Sequence, residues 1–175
     1  DGTTCPGAYS YSLALTKSMN LGAALSETVA RYTSERVRSL SVKISGCPNA
    51  CGQHWIADFG FYGNARKVDG REIPYYQMLL GGGYDRQGIL RFGYAVQSVP
   101  AKLAPVAVER VIQHFLTDSR DGETFREYVE RNRLEFFRNL TADLAKPMEI
   151  APDWYKDWGD EEYYTKKLGK SECAA

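Results

Sequence analysis

Three cysteines are flanked by glycine or proline in patterns that are typical of ligands to an inorganic cofactor. Cys47 and Cys51 are four residues apart in the run GCPNACG (residues 46–52), and Cys5 lies in TCPG (residues 4–7). Flanking glycines let the backbone pass close to a bulky inorganic group, and two thiolates at this spacing can both reach it. Three thiols on such loops favour an iron–sulfur site that requires a fourth ligand.

Other interpretations of these residues remain open on the sequence alone. The cysteines could be small buried apolar residues. His54 could complete a Cys3His zinc site with the three cysteines, although the second ligand pair of a zinc finger is missing. Asn49 could donate a hydrogen bond toward a cofactor or cap the next turn. Cys173 is interpreted as an unpaired thiol near the chain end.

Glycines elsewhere in the sequence predict local geometry. Gly46 and Gly63 are expected at positions where a Cβ atom would obstruct the backbone. The run Gly81-Gly82-Gly83 lacks the Lys-Ser/Thr pair and the following helix of a phosphate-binding loop. It therefore predicts a β-turn or bulge.

The composition is that of one globular domain and excludes several classes of protein. The 175 residues are 43% hydrophobic and 25% charged, with 22 basic and 22 acidic side chains. The zero net charge argues against nucleic acid or an anionic membrane as a partner. No apolar run is long enough to span a bilayer, and no secretory signal is visible. Four cysteines are too few for a disulfide scaffold, so we expect a reducing, cytoplasmic compartment.

Alternating and apolar segments predict the strands that position the cysteines. A half-buried strand over residues 40–45 ends at Gly46 and delivers Cys47. A second strand covers residues 59–68, and the turn dipeptide Asp69-Gly70 follows it. Further strands are predicted over residues 75–80 and 89–96. Together these segments predict a meander.

Helical periodicity appears before and after these strands. Residues 12–34 predict a short helix and then a longer one, with an interruption near Asn20 and Gly22. A helix is expected from the prolines near residue 100 to about residue 116. The capping-box pattern Thr124-x-x-Glu127 opens another helix. We therefore predict an α+β fold in which a mixed or antiparallel sheet is packed with helices.

The chain is predicted to form one packed unit followed by a tail. No internal repeat or low-complexity linker divides residues 1–145. Residues 146–175 contain two prolines and the aromatic run WYKDW, which predict an extended segment packed across the domain.

The cysteine pattern resembles the siroheme-containing nitrite and sulfite reductases, in the C-terminal half that binds a [4Fe-4S] cluster. That family has Cys-x5-Cys, then some three dozen residues, then Cys-x3-Cys, and Cys5, Cys47 and Cys51 match its first, third and fourth cysteines. The resemblance covers nearly the whole chain and extends over ADFGFYG (57–63), LGGG (80–83), residues 99–110, DWGD (157–160) and residues 169–175.

This resemblance implies a function and a set of partners. Such enzymes take electrons one at a time from ferredoxin or a flavoprotein, through the cluster, to siroheme. Nitrite or sulfite, a small anion, is there reduced by six electrons. The family fold is two pseudo-symmetric halves with siroheme between them, so an N-terminal half of the same protein is an implied partner. Cys51 corresponds to the cysteine whose sulfur bridges the cluster to siroheme.

Two departures from the family pattern affect these expectations. Tyr11 occupies the second cysteine position, and a phenol is a poor substitute for a soft thiolate on iron. Either the cluster is lost and the domain serves structure or partner docking, or the cluster persists with three thiolates and another ligand. The basic residues that grip siroheme and the anion come mostly from the N-terminal half, which these 175 residues do not include. The isolated chain is therefore predicted to be inactive.

Overall fold

A computed structural model describes residues 1–10, 12, 14–147 and 149–166. It has seven strands: β1 (Gly2–Thr4), β2 (Val42–Ser45), β3 (Phe59–Val68), β4 (Arg71–Leu80), β5 (Gly83–Tyr84), β6 (Leu90–Arg91) and β7 (Tyr94–Pro100). Its α-helices are α1 (Ser18–Ala30), α2 (Glu35–Arg38), α3 (Ala104–Asp118), α4 (Phe125–Leu140) and α5 (Ala142–Ala145). The predicted α+β class is confirmed.

Five strands form a mixed sheet in the order β1-β2-β3-β4-β7, and β5 pairs with β6 in a separate hairpin. β3, β4 and β7 are antiparallel, as the predicted meander requires, and Asp69-Gly70 joins β3 to β4 with positive φ at both residues. The single strand predicted over residues 89–96 is wrong, because this range is divided between β6 and β7. The meander prediction is wrong for β2, which pairs with β3 in parallel, and β1, for which no strand was predicted, pairs with β2 in parallel. β1 has only three residues, too few to show a periodic pattern in the sequence.

The helices before the sheet differ from the prediction. α1 begins at Ser18 and runs without interruption through Asn20 and Gly22. A Cβ atom on Gly22 would lie 2.5 Å from the Thr4 side chain. The glycine therefore lets α1 pack closely on β1, and this tertiary contact outweighs its low helix propensity. The described residues between Tyr9 and Ser18 contain no helix, so the predicted short helix is also wrong.

The later helices follow the prediction. α3 starts after Pro100 and a short 3-10 turn, and α4 begins with the expected capping box between Thr124 and Glu127. α4 departs from helical geometry at Arg133, where φ is 64°. Among the described residues, no helix is long and apolar enough to cross a bilayer.

The hydrophobic core lies between one face of the sheet and helices α1, α3 and α4. Alternate residues of β3, Phe59 and Phe61, are fully buried on this face, and the Phe59 ring packs on Phe125 of α4 at 4.9 Å between centroids. The largest buried side chains of this core are Tyr76, Tyr128, Phe59, Phe61, Phe115, Phe137, Leu21 and Leu25. This core holds β1 to β3 in place and thereby fixes the sheet edge where the cysteines lie.

Residues 149–166, here called the C-terminal strap, run across the domain. Asp157 in the strap is buried, and the Trp158 indole N–H donates to the carbonyl oxygen of Ala101 over 2.8 Å. The strap also contacts residues that precede α1, as described below. The division of the chain at residue 145 stays a prediction.

Candidate iron–sulfur site

Two parallel strands carry the first and third cysteines to the same edge of the sheet. β1 pairs with β2 so that Thr4 lies opposite Ile44. Cys5 directly follows β1, and Gly46 and Cys47 directly follow β2. Because the carboxyl ends of parallel strands meet at one edge, these cysteines converge although they are far apart in the sequence.

Cys5 is half-buried and receives hydrogen bonds from the end of β2. Its N–H donates to the Ile44 carbonyl oxygen over 3.0 Å, which extends the β1–β2 pairing by one residue. The Gly46 N–H donates to Cys5 Sγ over 3.1 Å. The Ser18 hydroxyl donates to the Cys5 carbonyl oxygen over 2.6 Å and lies 3.4 Å from Sγ. These contacts fix the position of the Cys5 sulfur against the end of β2.

The chain returns from Cys5 to α1 through residues 14–17, here called the return segment, which is bonded to Gly46. The N–H groups of Leu15 and Thr16 donate to the Gly46 carbonyl oxygen over 2.8 and 3.0 Å, and the Thr16 hydroxyl donates to it over 3.2 Å. The Ala8 N–H donates to the Thr16 carbonyl oxygen over 3.0 Å. The residues that follow Cys5 are thereby tied to the residue that precedes Cys47.

Glycines let these segments approach closely, as the sequence predicted for Gly46 and Gly63. A Cβ atom on Gly46 would lie 2.7 Å from both Gly7 Cα and the Thr16 carbonyl oxygen. A Cβ atom on Gly63 would lie 2.5 Å from the Gly46 carbonyl oxygen and would collide with the Thr16 hydroxyl. Because these obstacles are mostly backbone atoms, a side chain at either position would push the segments apart.

Residues 46–53, here called the Cys47 loop, turn tightly between two thiols. Ala50 and Gln53 have φ values of 60° and 56°, which non-glycine residues adopt rarely. Cys47 is buried whereas Cys51 is exposed. Asn49 is exposed, and it is its backbone that forms a hydrogen bond with Cys47. The loop therefore presents one thiol inward and one outward.

The base of the Cys47 loop is held by Ser45 and His54. The Ser45 hydroxyl oxygen accepts the Gly52 N–H over 3.0 Å and lies 2.8 Å from His54 Nδ1. His54 is fully buried beside the rings of Tyr62 and Trp55, at 4.9 and 5.4 Å between centroids. Burial lowers the pKa of His54 to about 4, so its imidazole is neutral at pH 7.

The three thiols influence one another electrostatically. Burial raises the pKa of the Cys47 thiol, the Asn49 backbone hydrogen bond lowers it, and the charges of Cys5 and Cys51 raise it further. Crowded thiolates repel, and a bound metal ion reverses this effect because it deprotonates the thiols that bind it. Cys5 and Cys51 thus lie near enough to Cys47 for their charges to act on its thiol.

This donor set suits a cluster better than a single ion. Within the described ranges, no three His, Cys, Asp or Glu side chains are placed to hold one metal ion. A [4Fe-4S] cluster distributes its thiolates over four irons, so its ligands need not meet at one point. Among the described residues His54 and the three cysteines do not form such a group, which gives the zinc interpretation no support. Three soft donors on glycine-rich backbone fit the cluster in kind. Tyr11 and Cys173 lie outside the described residues.

His114 and Gly81 have structural surroundings and lie outside the cysteine site. His114 is half-buried, with Nδ1 2.7 Å from the Tyr128 hydroxyl and its ring 4.4 Å from that of Phe136. Gly81 has a φ of 76° and its N–H donates to the Asp58 carbonyl oxygen over 2.9 Å, in line with the predicted turn or bulge.

The sequence did not identify the polar residues that support the cysteines. Thr16, Ser18 and Ser45 bond the site's backbone or sulfur atoms, yet single hydroxyl residues carry no pattern that separates them from surface serines and threonines. The strap residues Asp157 and Tyr164 belong to the same group. Only the position of Ser45, directly before GCPNACG, offered a signal.

Curated relatives of the chain are nitrite and sulfite reductases. It is 29% identical over 126 residues to an assimilatory ferredoxin-dependent nitrite reductase of Haloferax mediterranei, covering 68% of the chain and 21% of the relative. It is 34% identical over 104 residues to the chloroplastic ferredoxin–nitrite reductase of Zea mays, covering 57% and 18%. It is 30% identical over 92 residues to the NADPH sulfite reductase hemoprotein beta-component of Bordetella petrii, covering 53% and 14%. The chain therefore spans about a fifth or less of these relatives.

Solved structures show the same fold. The NirA protein of Mycobacterium tuberculosis superposes with a TM-score of 0.67 at 24% identity, over 78% of the chain and 26% of that protein. Dissimilatory sulfite reductase I superposes with a TM-score of 0.61 at 10% identity, over 87% of the chain and 53% of that protein.

The family model for the nitrite and sulphite reductase 4Fe-4S domain matches residues 2–149, which include Cys5, Cys47 and Cys51. This description agrees with the cluster expected from the cysteines, and one of the relatives is named a hemoprotein. The chain belongs to the family of nitrite and sulphite reductase 4Fe-4S domains.

Proposed function

We propose that the chain carries the [4Fe-4S] site of a siroheme nitrite or sulfite reductase, with Cys5, Cys47 and Cys51 as ligands. The observation that carries this proposal is that Cys5 and the Cys47 loop follow neighbouring parallel strands at one sheet edge, in a domain whose family match extends over residues 2–149. The cluster would supply one-electron steps between a donor and siroheme, where the hard chemistry takes place.

The chain's own residues would hold the cluster and adjust its electron affinity. Backbone N–H groups of Gly46 and Asn49 are placed against the sulfurs of Cys5 and Cys47. Such donors offset negative charge on the sulfurs and raise the reduction potential of a bound cluster. The buried Cys47 side is shielded from water, which favours the less charged oxidation state.

Cys51 and Asn49 are proposed to face the second cofactor. Both are exposed at the outer end of the Cys47 loop, whereas Cys47 points into the domain. Cys51 is the most exposed of the three cysteines, so a large planar group can reach its sulfur most directly. This supports Cys51 as the ligand shared with siroheme, and an N-terminal half of the same protein as the cover of this face.

The complete reaction rests on the relatives. A ferredoxin-dependent relative and an NADPH-dependent relative support ferredoxin or a flavoprotein as donor and nitrite or sulfite as the anion. This chain would contribute the cluster that passes electrons, and the N-terminal half is expected to contribute the cationic side chains that bind the anion. The cytoplasm stays the predicted compartment.

Tyr11 favours a second candidate function. A phenol at the second cysteine position removes a soft ligand, and a domain without the cluster would serve a structural or partner-docking role. The two candidates differ in iron content and in the effect of restoring sulfur at this position.

Iron and acid-labile sulfide, measured on anaerobically purified protein, test the proposal. We compare the natural chain with Tyr11→Cys, with Cys47→Ser, which removes a proposed ligand, and with Cys173→Ser, which tests Cys173 as the fourth ligand. The cluster hypothesis expects iron and sulfide in equal amounts, more of both in Tyr11→Cys, and almost none in Cys47→Ser. Four iron per chain before any change would assign the fourth ligand to Cys173 or to a non-protein group. No iron in the natural chain or in Tyr11→Cys would refute the cluster hypothesis.

Turnover gives a second, independent test. With reduced methyl viologen as donor, the 175-residue chain is expected to reduce neither anion faster than siroheme alone, because it holds one side of the cleft. Faster reduction would show that these residues form a complete catalytic site.

A further inference from the structure

The return segment is bonded on two opposite sides. Its inner side donates N–H groups to the Gly46 carbonyl oxygen, as described above. Its outer side meets the C-terminal strap: the Tyr164 hydroxyl donates to the Leu15 carbonyl oxygen over 2.8 Å, and the Lys17 N–H donates to Asp157 Oδ2 over 2.7 Å. The segment that follows the Cys5 turn is therefore held between the Cys47 loop and a part of the chain about 140 residues later.

Both oxygens of the Asp157 carboxylate accept backbone hydrogen bonds, one of them from the return segment. The side chain is only 2% exposed, and its second oxygen accepts the Trp158 N–H over 2.8 Å. A buried carboxylate is unfavourable unless its oxygens are bonded, and these bonds serve backbone groups of the return segment and of the strap itself. Lys17, which follows Thr16, adds an ion pair with Asp160.

The strap is anchored elsewhere, so it can act as a fixed support. The Trp158 indole N–H donates to the carbonyl oxygen of Ala101, in the 3-10 turn that precedes α3. The Asn20 side chain donates to the Trp158 carbonyl oxygen over 2.7 Å. Gly159 has a φ of 78° and packs directly against Asn20. These contacts attach the strap to α1 and to the core independently of Leu15 and Lys17.

We propose that the C-terminal strap is a positioning element of the cysteine site: Asp157 and Tyr164 fix the return segment and thereby the placement of Cys5 relative to the Cys47 loop. The effect on a bound cluster rests on the function proposed above. The effect on the cysteine itself does not, because the bonds exist within the protein chain. Asp157 and Tyr164 are positioning residues, since neither contacts a sulfur.

A positioning role predicts that loss of the strap contacts acts on Cys5 and spares Cys47. Cys47 is buried at the end of β2 and its loop is held by Ser45 and His54, which the strap does not touch in the described residues. General destabilisation would expose Cys5 and Cys47 in proportion. The ratio of their reactivities therefore separates positioning from a merely structural role.

The experiment measures native-state alkylation of each cysteine by mass spectrometry in the cluster-free full chain. Tyr164→Phe and Asp157→Asn are compared with Tyr163→Phe, a neighbouring exposed tyrosine, and Asp153→Asn, a strap carboxylate that pairs only with Lys102 among the described residues. Loss of a partly buried hydrogen bond predicts that Cys5 labelling accelerates about tenfold in the first two variants. Both controls should stay within about twofold of the natural chain. Hydrogen exchange of the Ala8 and Thr16 amides should accelerate with Cys5.

Two results would overturn the proposal: unchanged Cys5 labelling in both strap variants, or equal acceleration at Cys5 and Cys47. The same variants, loaded with iron and sulfide, give a second measurement. Chelator removal of iron should be faster, and the electron paramagnetic resonance signal of the reduced cluster should shift, in Tyr164→Phe but not in Tyr163→Phe. A natural chain that binds no iron would refute the proposed function and leave the labelling result to decide the role of the strap.

Discussion

The loop that carries Cys5 depends on hydrogen bonds that reach the strap, up to 149 residues away, whereas the Cys47 loop, apart from the bonds that Gly46 makes with Cys5 and the return segment, is held by bonds that span 7 and 9 residues. The first loop depends on the end of β2, on the return segment and on the strap. The second depends on Ser45 and His54, which directly flank it. One half of the site is thus a product of the complete fold, and the other is close to a self-contained motif.

This difference shows where a cofactor site is robust. A local loop keeps its shape while its own short sequence is intact, and the Cys47 loop shows this in its two left-handed residues, Ala50 and Gln53. A loop assembled from distant segments responds to changes far away in the sequence. Damage to the site is therefore expected to appear first at Cys5.

The largest effect is expected for Gly63→Ala, which acts on both loops together. The new Cβ atom would meet backbone of Gly46 and the Thr16 hydroxyl, neither of which can move without separating the loops. Overpacking against backbone should lower the free energy of unfolding by at least about 3 kcal/mol, measured by urea denaturation. Gly2→Ala in β1 is the control, because nothing lies within 4 Å of its added Cβ. Equal stability of the two variants would contradict the close packing described here.

Acidification should weaken the base of the Cys47 loop. The folded pKa of His54 is about 4, below its usual value of 6.5, so the unfolded chain binds the extra proton first. Stability contributed by the neutral imidazole is complete above pH 6.5 and is lost as the pH falls toward 4. The loss should be roughly 2 to 3 kcal/mol between pH 7 and pH 4.

Urea denaturation of the cluster-free chain at several pH values measures this effect. His54→Gln is the reference, because the other titratable groups, including Asp58 and Asp157, are present in both chains and cancel in the difference. An identical pH dependence in the two chains would show that His54 does not resist protonation.

Ser45→Ala should separate the two loops in a labelling experiment. It leaves the Gly52 N–H and His54 Nδ1 without their partner in a buried position, which costs about 2 kcal/mol. Cys51 should then be alkylated faster while the Cys5 rate changes little, the reverse of the strap variants. Ser39→Ala, which removes an exposed hydroxyl, serves as control. Faster labelling of Cys5 than of Cys51 would show that the loops are not independent.

The smallest effect is expected for Lys17→Gln. The ion pair with Asp160 is partly exposed, and such pairs contribute less than about 1 kcal/mol. The backbone N–H that bonds Asp157 remains, so the return segment should keep its place and Cys5 labelling should stay near the natural rate. A loss of stability as large as that of Ser45→Ala would show that the Lys17 side chain, and not its backbone N–H, makes the main contact with the strap.

The sequence predicted the local parts of this molecule well. The Cys47 loop, the Asp69-Gly70 turn, the capping box at Thr124 and the helix after Pro100 each depend on residues within a few positions of one another. The close approaches at Gly46 and Gly63 were also predicted, because a glycine beside a cofactor ligand or at a strand end indicates limited space even when the fold is unknown.

The missed parts depend on tertiary contacts. Gly22 appeared to weaken a helix because its contact with Thr4 on β1 is invisible in sequence. The three-residue β1 and its parallel pairing left no periodic signal. The bonds from Asp157 and Tyr164 to the return segment join positions about 140 residues apart, and no local pattern encodes such a pairing.

The parallel pairing of β1 with β2 also has a consequence for the order of folding. β3 and β4 are joined by a two-residue turn and can pair early, but β1 must close a loop of some 40 residues to reach β2, with a correspondingly larger entropic cost. We expect Cys47 and Cys51 to be in place on a nearly complete sheet before β1 docks. The last strand to arrive then brings Cys5 from one side, so the site closes late, around whatever the first two thiols already hold.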